Sequence, residues 1–204
     1  MKTKNKNSLP QRARKIFIIV PGMSERQVLP YLLKLCNVSA RVVESKFIAF
    51  ENSVVVVSNA IHKQVRAGLE SNCQKTILIF DHESFPICPG EFASQVRTRI
   101  AQEVAGVTPE NFAVICANHK LENWILAAPQ VFKSELFKKD LSKRIKHRSD
   151  CQDAEAIISE AMGKNRNYDK VRHLSSIVRY IKSIDATMRR RSPSLDKFLR
   201  EVGV

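Results

Sequence analysis

The chain has 204 residues, 44% of them hydrophobic, enough for one domain with a proper core, and its longest apolar runs, such as Ile16–Val20 and Ile77–Phe80, are far too short to cross a bilayer. Five scattered cysteines without a CxxC pair argue against a disulfide framework and a zinc ribbon, and the basic start lacks the apolar stretch of a secretory signal; a reduced cytoplasmic protein is expected. The net charge of +14 divides into +6 over residues 1–15, zero over 16–132 and +8 over 133–204, so basic ends flank a neutral middle.

Residues 1–14 read as a basic flexible tail. Lys15–Val20 is an all-apolar strand, expected to be central and covered on both faces. A glycine turn follows, and Ser24 with Gln27 three residues later forms a capping box for a helix whose buried stripe is Val28, Leu32, Leu35 and Cys36. Pro30 should bend that helix. Arg41–Ile48 and Ser53–Val57 read as strand material, and Asn59–Glu70 as an amphipathic helix. Lys75–Phe80 is a second strongly apolar strand, stopping at Asp81. Pro89 and Gly90 open a helix to about Ala105, and Asn111–Ala117 is a further strand. Beyond it the pattern is helical almost to the end, in "LENWILA", "PQVFKSELF", "DAEAIISEAM", "DKVRHLSSIVRYIKSI" and "SPSLDKFLREV", with Ser192 as cap and Pro193 at the first helical position of the last. Strands alternating with helices predict an α/β, Rossmann-like, mostly parallel sheet with helices on both faces over residues 15–128. Residues 129–204 form a basic helical C-terminal extension.

In such a sheet ligands gather at the carboxyl ends of the strands. The residues just past those ends include Glu25, then Asp81, His82 and Glu83, then His119 and Glu122. Four carboxylates near one sheet edge, Glu25, Asp81, Glu83 and Glu122, suit Mg²⁺ or Mn²⁺, which prefer oxygen ligands. Glu25 and Glu122 each have another reading, since a first helical turn favours an acid through its dipole alone. Trp124 reads as core. Lys143, Arg144, Lys146 and Arg148 form one cationic cluster and Arg189, Arg190 and Arg191 another, pointing to a nucleic-acid partner or to a solvated basic surface.

The order of these parts resembles the topoisomerase–primase (TOPRIM) superfamily, and within it the small relatives of OLD-type phage-defence nucleases. The resemblance rests on "IIVPGMSERQVLPYLL", "ILIFDHES", "HKLENWILA", "NYDKVRH" and "SPSLDKFL", which span the chain from about Lys15. It implies a TOPRIM-like fold and metal-dependent cleavage of DNA or RNA phosphodiesters. Asp81 and Glu83 would be metal ligands, Glu25 and Glu122 would complete the site, and Lys170 would stand near the scissile phosphate. OLD-type relatives carry an ATPase in the same chain. This chain has no Gly-x-x-x-x-Gly-Lys-Ser/Thr loop, so a separately encoded ATPase is the partner implied. Two positions depart from the family pattern: Pro21 stands where a glutamate is usual, and Glu83 where an aspartate is. The first opens the alternative of a module that binds nucleic acid or a protein without catalysis.

Overall fold

Four strands form one all-parallel sheet in the order β2-β1-β3-β4, where β1 is Lys15–Val20, β2 Ser39–Glu44, β3 Lys75–His82 and β4 Phe112–Asn118. The computed structural model describes residues 15–45, 53–82, 87–145, 147–163 and 168–204. Strand side chains alternate between the faces, and both faces are covered, which is why the strands read as unbroken apolar runs. Ile16, Ile18 and Val20 share one core with Ile77, Ile79, Ile115 and Ala117. Phe17 and Ile19 share the other with Leu78, Phe80, Phe112 and Val114.

Helix α1 (Met23–Leu35) covers the first face, and α2 (Val54–Glu70) and α3 (Pro89–Glu103) cover the second. After β4 come α4 (Glu122–Leu126), 3-10 turns at Pro129–Lys133 and Ser149–Cys151, then α5 (Ala154–Met162), α6 (Lys170–Val178), α7 (Ala186–Arg191) and α8 (Pro193–Glu201). Trp124, Ile158, Leu174, Ile177, Leu195 and Phe198 of these segments join the core under α1. The C-terminal helices thus complete a layer that α1 alone is too small to form. Trp124 is core, as expected from the sequence: it is fully buried, stacks on Phe198 with ring centroids 5.2 Å apart, and donates Nε1–H to Ser194 Oγ at 2.7 Å. Among the described residues no helix is long and apolar enough to cross a membrane.

Several local expectations are corrected. Ser53–Val57 is the start of α2, not a strand. Ser53 is its N-cap, accepting from the Val56 amide at 3.5 Å, and Val57, Ile61 and Val65 bury at helical spacing. Burial at that spacing overrides the strand preference of four consecutive valines. The capping box at Ser24 does not form either. The N-cap of α1 is Gly22, without a side-chain cap, and Ser24 gives its hydroxyl to Glu25 instead. The strand read as Arg41–Ile48 runs over Ser39–Glu44, and residues 46–48 lie outside the described residues. In "PQVFKSELF" only a 3-10 turn forms, and the helix in "DKVRHLSSIVRYIKSI" ends at Val178. Ser192 does cap α8, accepting from the Leu195 amide at 3.2 Å.

The strand order locates the site. From β1 the chain adds β2 on one side, then crosses to place β3 on the other, so it reverses direction between β1 and β3. Their carboxyl ends flank the crevice that this reversal opens.

Candidate active site

Each acidic group reaches this crevice for a local reason. Glu25 sits in the first turn of α1, directly after the end of β1. Gly22 makes room for it, because a Cβ there would stand 2.7 Å from Glu25 Oε2. Asp81 is the seventh residue of β3, and strand alternation turns it to the same face as Ile77 and Ile79, toward α1. His82, one residue on, is sent to the opposite face, where its ring lies 6.4 Å from that of Phe92 and its Nε2 is 3.0 Å from the Ile87 carbonyl. Glu122 opens α4 after β4, and Lys170 opens α6, behind its N-cap Asp169.

Lys170 is the meeting point. Its Nζ lies 2.7 Å from Asp81 Oδ2, 2.8 Å from Glu25 Oε1 and 3.4 Å from Glu122 Oε2. The other oxygen of each carboxylate is held by a separate donor: the Leu121 amide to Asp81 Oδ1 at 2.8 Å, Ser24 Oγ to Glu25 Oε2 at 3.0 Å, and the Tyr168 hydroxyl to Glu122 Oε1 at 2.9 Å. Glu25 and Glu122 are buried, Glu122 completely, and Glu122 Oε2 has no hydrogen-bond partner. Three carboxylates thus share one ammonium in a site largely closed to water.

The electrostatics follow from burial and crowding. Burial pushes the Asp81 carboxyl up to about 7; Lys170 opposes this, while Glu25 and Glu122 add to it. Burial works against the charge of Lys170, yet Asp81, Glu122 and Glu25 together hold its pKa above the ordinary lysine range. Burial and then the charge of Glu122 raise the Tyr168 phenol, which therefore stays protonated and donates. Burial also lowers the pKa of His82, so it is neutral near pH 7.

Of the site residues expected from the sequence, Glu25, Asp81, Glu122 and Lys170 come together, whereas Glu83 lies outside the described residues. Among the described residues, no three or more His, Cys, Asp or Glu are already arranged to hold a metal ion. The ammonium stands between the carboxylates. Pro21 places no carboxylate at the end of β1, and no other described acid takes its position in the cluster. Two contributors escape a reading by residue type: Tyr168, whose only signal is its place two residues before Lys170, and the Leu121 amide, which carries no signal. Beside the cluster, a cleft of about 380 Å³ opens among His119, Lys120, Asn123, Cys151 and Glu155. His119 lines it with a left-handed backbone, φ 60°, a conformation uncommon outside glycine.

The basic clusters are more mixed than their spacing suggests. Ser149 Oγ donates to the Arg191 carbonyl at 3.1 Å, which brings the two segments together. Lys143, Arg148 and Arg190 are exposed, and Lys146 lies outside the described residues. Arg144 is exposed but paired with Glu160. Arg189 is engaged within the fold, 2.5 Å from Asp196 and 3.3 Å from the Val204 carbonyl, and Arg191 is half-buried. Arg189 therefore braces α7 on α8.

No curated protein and no solved structure matches the chain. Residues 20–203, which include every residue of the acid cluster, match the model of the DUF4276 family, described as a domain of unknown function, and the chain belongs to that family.

Proposed function

We propose that the protein is a TOPRIM-like, Mg²⁺- or Mn²⁺-dependent nuclease that cleaves DNA or RNA phosphodiesters, working in phage defence with a separately encoded ATPase. The observation that carries the enzymatic part is the convergence of Glu25, Asp81 and Glu122, from three separate elements, on Lys170 at the strand ends. The donor set fits a hard divalent ion in kind: all its atoms are carboxylate oxygens, their charge exceeds that of the one lysine, and Glu122 Oε2 is buried without a hydrogen bond. Asp81, Glu25 and Glu122 would hold the ion, with Glu83 completing the set by resemblance. Such an ion, if bound, would supply Lewis-acid stabilisation of the phosphate and a more acidic attacking water. Lys170 supplies a positive charge for the phosphate, and Tyr168 keeps Glu122 oriented. The exposed Lys143, Arg148 and Arg190 support contact with a nucleic-acid backbone.

The second reading, a module that binds nucleic acid or a partner protein without catalysis, is favoured by Pro21, which denies the site a carboxylate at the end of β1. A cleavage assay on single- and double-stranded DNA and RNA with Mn²⁺, run with and without the ATPase, separates the two. Weak cleavage by the wild type, none by Asp81→Ala and more by Pro21→Glu is the expected result. No cleavage from the wild type or Pro21→Glu, both folded and with the ATPase present, would leave the binding module.

A further inference from the structure

We infer that Lys170 is an exchangeable internal cation: it fills the centre of the acid cluster when no divalent ion is bound and withdraws when one arrives. The inference rests on the metal-binding reading above and concerns how that site is controlled.

The first argument is the division of labour within each carboxylate. Glu25, Asp81 and Glu122 each have one oxygen anchored by a donor other than Lys170, namely Ser24 Oγ, the Leu121 amide and the Tyr168 hydroxyl. The remaining oxygen of each turns to the common point. The acids are therefore held in place without the lysine, as outer-shell hydrogen bonds hold the ligands of a metal site. The second argument is stoichiometry. The ammonium makes close contacts of 2.8 and 2.7 Å to Glu25 and Asp81, but its 3.4 Å approach to Glu122 Oε2 is not a hydrogen bond, and that oxygen is buried with no other partner. No other described Lys or Arg forms an ion pair with these three acids. With all three ionised, the cluster keeps an excess of two negative charges, which a divalent ion would match.

The third argument is which partner can leave. Glu25 and Glu122 are buried on helix starts and Asp81 is fixed in a central strand, whereas the Lys170 side chain is 24% exposed. Its flexible four-carbon stem lets the ammonium swing toward solvent while the helix stays in place. A lysine released in this way is free for an anionic group such as a phosphate. Divalent ion and phosphate should then bind with positive coupling, because each favours the state with Lys170 withdrawn.

Calorimetry with Mn²⁺ and lysine acetylation read by mass spectrometry test the exchange. Lys170→Met should bind Mn²⁺ at least tenfold more tightly than the wild type, because no ammonium has to be displaced. Lys170→Arg, which keeps the charge, should show no such gain. In the wild type, saturating Mn²⁺ should raise the acetylation rate of Lys170 at least fivefold, a readout that does not depend on any variant folding. Equal Mn²⁺ affinity in wild type and Lys170→Met, or Lys170 acetylation unchanged by bound Mn²⁺, would overturn the exchange while leaving the metal site standing. Absence of Mn²⁺ binding in both the wild type and folded Lys170→Met would instead remove the metal site itself.

Discussion

Replacing Glu122 by glutamine asks whether the acid cluster exists for stability or for function. The change removes one charge from a fully buried position and leaves an oxygen to accept from Tyr168. At 3.4 Å from Lys170 Nζ the lost attraction is about 5 kcal/mol with an effective dielectric of about 20. Distances of 3.4 Å for Glu122, 2.8 Å for Glu25 and 2.7 Å for Asp81 to the shared nitrogen put the Glu122 oxygen at most 6.2 and 6.1 Å from the other two. Each repulsion relieved is therefore at least about 2.7 kcal/mol on the same scale when both partners are ionised. The two together offset the lost attraction, and relief from burying an ionised carboxylate tips the balance further. Glu122→Gln is therefore expected to be neutral or stabilising by roughly 1 kcal/mol, a rise in Tm of about 2–4 °C for a chain of this size. Thermal unfolding at pH 8 without divalent ions measures it. Mn²⁺ affinity, measured in parallel, should fall at least tenfold. A fall in Tm of more than about 6 °C with Mn²⁺ binding unchanged would refute the reasoning, since Glu122 would then be an anchor of α4 and not a ligand.

Asp81 also predicts a pH dependence. Its folded pKa, about 7, lies above that of an unfolded aspartate, so the stabilising contribution of its proton is complete below about pH 4 and is lost as pH rises to about 7. Without metal, the wild type should lose stability across that interval relative to Asp81→Asn, and parallel stability curves would refute this. Asp150, buried beneath the last helix, accepts from Ser192 Oγ at 2.5 Å and from the Ser194 amide at 3.0 Å. Asp150→Ala should cost about 3 kcal/mol in urea unfolding without changing Mn²⁺ affinity, and a loss under about 1 kcal/mol would show that water replaces both bonds. Arg190→Glu should weaken binding to a short duplex most strongly at low salt and leave Tm unchanged, whereas Arg189→Glu should lower Tm by breaking its contacts to Asp196 and Val204. Duplex binding insensitive to salt would assign the basic face to something other than phosphates.

The sheet and the candidate acids were legible in the sequence because both depend on local pattern. Unbroken apolar runs ending in Pro21, Asp81 and Asn118 mark buried parallel strands, and the ligand-facing edge of such a sheet is known in advance. Glu25, Asp81 and Glu122 stand within five residues of those strand ends, so their shared edge follows from chain order alone. Helix starts were less legible: Ser24 looks like a cap by residue type, but the helix already begins at Met23, with Gly22 at the N-cap. The valines of 54–57 favour a strand by propensity, yet the covering of β1 and β3 needs a helix there. What only the tertiary structure decided is that Lys170, 89 residues from Asp81, lies between the three acids, with Tyr168 and the Leu121 amide orienting them. No local pattern carries that information. It arises because the C-terminal helices are needed to cover the α1 face of the sheet, and their docking there brings the start of α6 against α1 and the end of β3.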